Sequence, residues 1–75
     1  MNPIIPGEIL KEDYMDPLML SHESLGRELG VSPIMMNEII DGKRRITPAM
    51  SARLGTYFRQ SNNYWLNIQN ECDLR

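Results

Sequence analysis

Residues 21–42 read SHESLGRELGVSPIMMNEIIDG, two short amphipathic segments separated by a glycine, and this stretch decides the fold. A helix opens with N–H groups that have no carbonyl partner in the preceding turn, and Ser21 is placed to cap a first helix by accepting one of them. Leu25 and Leu29 then lie four apart on one face, and Gly30 follows as a residue free to take positive φ. Val31 fills the turn. Ser32 repeats the cap, and Pro33 takes the first helical position, where a missing N–H costs nothing and φ is already set. Met36, Ile39 and Ile40 recur at the three-and-four spacing of a buried stripe until Asp41-Gly42 ends it. The small residues Gly26 and Gly30 let the two helices cross closely and steeply. The spacing predicts a helix-turn-helix. A plain structural αα-hairpin carries the same local signals, so the flanking sequence has to weigh in.

Lys43, Arg44 and Arg45 form a basic cluster immediately after the second helix of the pair, with Arg27, Arg53 and Arg59 available to extend it. The acids Glu8, Glu12, Asp13, Asp16 and Glu23 crowd the first third instead. Net charge is −2, yet a polyanion meets one face of a protein rather than its sum, so segregation matters more than the total. A three-base run alone is commonly a solvated loop. Its position behind a candidate recognition helix is what points it at nucleic acid.

Upstream, Pro6-Gly7 opens a helix through about Tyr14, with Ile9 and Leu10 as its apolar edge, before Asp16-Pro17 breaks the pattern. Leu18 and Leu20 are expected to tuck beneath the next helix. Downstream, Thr47-Pro48 repeats the cap-then-proline start, and Met50, Leu54, Tyr57 and Phe58 mark the inner face of a fourth helix that Gly55 weakens slightly. Ser61 is expected to cap a fifth helix through about Cys72, where Trp65, Leu66 and Ile68 carry the remaining apolar area. No alternating strand pattern or internal repeat is present. Interleaved aromatics can stack on single-stranded nucleic acid, but Tyr57, Phe58, Tyr64 and Trp65 fall on core-facing stripes. Core packing is the better reading for them, with a C2 dimer contact through Tyr64, Trp65 and Ile68 on the C-terminal helix of about residues 62–72.

Seventy-five residues make one domain, 1–75, near the size where a single core only just suffices and association helps. No apolar run approaches a membrane span or signal core, so a cytoplasmic protein without membrane contact is expected. The single cysteine, Cys72, has no disulfide partner and no ligand cluster for zinc, and no metal or cofactor is expected. His22, the one imidazole, has no nucleophile nearby, and the Glu12-Asp13 carboxylates lack a cleft to bury them. Catalysis is not expected.

The combination of Pro6-Gly7-Glu8-Ile9-Leu10, the helix-turn-helix, Asp41-Gly42-Lys43-Arg44 with Ile46-Thr47-Pro48-Ala49-Met50, and Tyr64-Trp65-Leu66-Asn67-Ile68-Gln69 resembles HigA/VapI-type antitoxins. These belong to the wider Xre and phage-repressor helix-turn-helix group, and the match runs from Ile5 to Leu74. The resemblance implies an all-α, compact five-helix domain of the phage-repressor-like type, with its motif at about residues 21–42. It implies a dimeric repressor of its own operon, bound to double-stranded operator DNA, that neutralises a cognate HigB-type mRNA-cleaving toxin. By the same resemblance, His22 and Ser32 hold the DNA backbone and Lys43, Arg44 and Arg45 add phosphate contacts. Pro33, Ile34, Asn37 and Glu38 face the groove, with Met35 nearby. The chain departs from the family pattern in placing Pro33, Ile34 and Met35 where polar or basic residues are common. Readout there falls to Asn37 on adenine, to apolar contact with thymine methyls, and to Glu38 on cytosine. Two alternatives remain: a toxin-binding module with weak DNA affinity, and a stand-alone phage-type repressor.

Overall fold

A computed structural model describes residues 5–74, and every regular element among them is helical. The first helix, α1, runs Pro6–Ile9 and continues directly into a π-helical stretch, Leu10–Met15. It is followed by α2 (His22–Leu29), α3 (Pro33–Ile40), α4 (Pro48–Phe58) and α5 (Tyr64–Asp73). The π stretch has a packing reason. Leu10 and Met15 are both buried, and an α-helix would turn residues five apart about 140° away from each other. Bonding five residues back, as Asp16 N–H does to the Lys11 carbonyl at 2.8 Å, brings them to the same side.

The local signals perform as the sequence predicts through α2, α3 and α4. Ser21, Ser32 and Thr47 each accept the N–H three residues on, from Ser24, Met35 and Met50, at 3.0, 3.1 and 3.2 Å. Gly30 ends α2 at φ 75°. At Gly26 a β-carbon would stand 2.9 Å from the Val31 carbonyl oxygen and 3.0 Å from Met36 Cγ, so the α2–α3 crossing is closer than any side chain permits. α1 packs across α3 and α5, α2 also meets α4, and α4 carries α5.

Four expectations need correction. Ser61 does not cap the fifth helix, since the chain turns through residues 61–63 and offers the Ser61 carbonyl, not its hydroxyl, to Tyr64 N–H at 3.2 Å. The cap comes from α4. Ser51, fully buried, donates its hydroxyl proton to the Asn62 carbonyl at 2.6 Å, and its Oγ accepts Leu66 N–H at 3.0 Å. Gly55 is likewise no mere weak point: a β-carbon there would meet the Ser61 carbonyl oxygen at 2.6 Å, so this turn can lie against α4 only over a glycine. Leu18 is exposed rather than tucked under α2, because the turn after the π stretch, with Met19 at φ 57°, swings it outward, and Leu20 alone reaches the core.

The fourth correction concerns Trp65. It is 0% exposed and so has no surface to offer a second protomer. Its ring meets Tyr14 and Tyr64 edge-on, with centroids 5.2 and 5.3 Å apart. The indole N–H donates to Gln60 Oε1 at 2.8 Å, Gln60 Nε2 donates to Tyr14 Oη at 2.8 Å, and the Tyr14 hydroxyl donates to Tyr64 Oη at 3.1 Å. That last bond, followed by burial, holds the Tyr14 phenol above its ordinary pKa. The Tyr64 hydroxyl closes this chain, and half-buried Ile68 shares a shallow depression with Ile9, Asn67 and Glu71.

Candidate nucleic-acid interface

The outward stripe of α3 follows from its sequence. With Met36 and Ile39 buried, the helical period leaves Pro33, Ile34, Asn37 and Asp41 on the opposite side, and all four are exposed. Ile34 stands out at 74% exposed; an isoleucine held there gains nothing from the fold. This stripe, together with His22, Glu38 and Lys43, lines an open depression of about 310 Å³. His22 is the first residue of α2, so a helix N-terminus with unpaired N–H groups and positive dipole end borders the same surface. Ser32 opens α3 beside it. A convex helix edge flanked by a helix N-terminus and basic residues suits a groove with phosphates along its rim.

The basic loop is built into this surface by carboxylates and one amide. Arg44 donates through Nη2 and Nε to Oε1 of Glu38, at 3.1 and 3.4 Å. Arg45 grips both oxygens of Asp73 at the end of α5, through Nη1 at 2.6 Å and Nη2 at 2.5 Å. Hydrogen bonding to Arg45 holds the Asp73 carboxyl below its ordinary pKa. Gln69, buried one turn back, accepts Ile46 N–H at 2.9 Å and donates to Asp73 at 3.0 Å. The path of the loop over residues 43–46 is therefore fixed by α5. Asn37 Nδ2 lies 3.5 Å from Asp41 Oδ2, a long contact that leaves the amide free to turn toward a base edge.

Known proteins share both sequence and fold with this chain. No family model matches the chain. Virulence-associated protein I of Dichelobacter nodosus is 44% identical over 75 residues, which is all of this chain and 69% of that relative. The antitoxin HigA of Pseudomonas aeruginosa, solved with the higBA promoter, superposes with a TM-score of 0.94 at 40% identity, covering 97% of this chain and 79% of that one. The antitoxin GraA, solved in complex with its operator, gives 0.92 at 36% identity over 100% and 76% of the two chains. The chain belongs to the HigA/VapI-type antitoxins.

Of the residues that family resemblance singles out, the structure brings His22, Pro33, Ile34, Asn37, Glu38 and Lys43 to one depression. Met35 is not among them; it is half-buried and leans on the core, because it lies four positions before the buried Ile39 and shares that side of α3. Arg53 is not part of the basic face either, since its Nη1 donates to the Leu29 carbonyl at 2.7 Å and closes the end of α2. Two residues that matter to the site carry no functional signal in the sequence. Gln69 and Asp73 are four apart on α5 and act on the loop as a pair, and only the i, i+4 spacing from Trp65 hints that Gln69 faces inward. Among the described residues no group of three or more His, Cys, Asp or Glu is arranged to hold a metal, and no helix is long and apolar enough to cross a membrane.

Proposed function

We propose that this chain is a dimeric, non-enzymatic cytoplasmic repressor that reads its own operator through α3 and serves as the antitoxin to a HigB-type toxin. The observation that carries the reading is the exposed stripe Pro33, Ile34 and Asn37 set between the N-terminus of α2 and Lys43, on a fold matching antitoxins solved with promoter and operator DNA. In this mode α3 lies in the major groove. Asn37 reads adenine, Ile34 contacts a thymine methyl, and His22 and Ser32 approach the backbone with their helix N-termini. Two such helices in a C2 dimer, associated through the Ile9 and Ile68 face, meet half-sites about 34 Å apart. Neutralising about six phosphates gives log affinity a slope on log salt near −5.

Binding to the chain's own upstream DNA against scrambled DNA, over a salt series, tests this. Asn37→Ala should weaken the native DNA selectively, and Lys43→Ala should weaken both DNAs. No preference for the native sequence at any salt would overturn the reading. That outcome would favour the toxin-gripping module with weak DNA affinity, a reading supported by the overall negative charge and by the pairing of Arg44 and Arg45 within the chain.

A further inference from the structure

We propose that Glu38 sets the discrimination between operator and other DNA by holding Arg44 as an internal counter-ion, an inference that rests on the operator-binding reading above. Two of the three consecutive bases are already satisfied by the protein: Arg44 by Glu38 from the outer edge of α3, and Arg45 by Asp73 from α5. Among the described residues Lys43 alone of the three has no carboxylate partner.

The two pairs differ in where they stand. Asp73 lies at the end of α5, whereas Glu38 lines the same depression as Asn37 and Ile34. Glu38 occupies the Nε–Nη2 edge of Arg44, the edge that can grip a phosphate at two points. For that edge to turn to a phosphate it must leave Glu38, and the freed carboxylate then stands in the groove. Where the facing base offers an N–H donor, cytosine N4 or adenine N6, the carboxylate is paired again. On any other sequence the freed carboxylate would stand alone beside a polyanion, so the pair stays closed and the Arg44 contact with phosphate is forfeited. The exchange therefore costs little on the correct site and more on the wrong one, which is discrimination by penalising competitors. The pair is half-exposed, so its own strength amounts to no more than about fivefold in affinity. That suits a contact meant to open on DNA.

The test is a double-mutant cycle with Glu38→Gln and Arg44→Ala, read on upstream and scrambled DNA at low and physiological salt. Glutamine keeps the shape of the side chain, and circular dichroism with a melting curve verifies the fold of each variant. Glu38→Gln should tighten binding to scrambled DNA about fivefold and to the upstream DNA by less, narrowing the ratio between them. In the Arg44→Ala background that gain on scrambled DNA should shrink at least about threefold. An equal gain on both DNAs, or a gain undiminished without Arg44, would assign Glu38 a general charge effect and overturn the proposal while leaving the operator reading intact. A wild-type protein with no preference between the two DNAs would overturn that reading, and this one with it.

Discussion

The helix-turn-helix pair, α2 and α3, and the closing helix, α5, are built on opposite plans. Each helix of this pair carries its own start signal within three residues, Ser21 for α2 and Ser32 for α3. α5 makes no side-chain cap of its own and borrows one from Ser51 on α4. Its other polar ties also reach far along the chain: Gln69 to Ile46 across 23 positions, and Asp73 to Arg45 across 28. The comparison teaches that the surface proposed to face DNA is specified locally, while the helix that braces it is specified by tertiary contact. Damage to α5 should therefore spread, and damage to the caps of α2 and α3 should stay small.

The largest break in this contrast comes at Trp65. Trp65→Ala removes the core's biggest fully buried side chain and leaves the Gln60–Tyr14–Tyr64 chain without its end donor. A loss of about 3–5 kcal/mol is expected, enough to leave a domain of this size largely unfolded, read as a vanished cooperative melt by circular dichroism. Next comes a matched pair of hydroxyl deletions. Ser51→Ala strips a buried bridge and should cost about 2 kcal/mol. Ser32→Ala removes an exposed local cap and should cost about 1 kcal/mol. Urea melts of both variants rank them, and equal losses would erase the distinction between local and borrowed caps. The smallest effect is a pH dependence. Arg45 holds the folded Asp73 carboxyl below its ordinary value of 3.8, so its contribution is fully present above that value and fades as pH falls through the folded one. The gap in Tm between wild type and Asp73→Asn should thus be constant from pH 7 to about 5 and close below about pH 4.

The same division explains what could be read in advance. Capping serines, prolines at the first helical position and the glycine after α2 act on neighbours within a turn, so their spacing carries their meaning. Nothing in the spacing marks Ser51 as a cap for a helix that begins thirteen positions later, whereas Ser61, close to that helix and of the right type, carries the local signal. The apolar pattern shows that Trp65 carries much of the apolar area of its helix, but spacing does not say whether such area meets the chain's own core or a second copy. At the site, helical period placed Pro33, Ile34 and Asn37 outward. The partners of Arg44 and Arg45 were out of reach, because an ion pair is settled by how a loop lies against two helices.

The borrowed cap has a consequence for how the molecule moves. Because the N–H of Leu66 ends on a hydroxyl rooted in α4, the first turn of α5 cannot fray while α4 stays closed, as an end capped by its own neighbour can. α4 and the opening turn of α5 form one cooperative unit, and an amide in that turn exchanges its hydrogen with solvent on the schedule of α4 rather than that of a helix terminus.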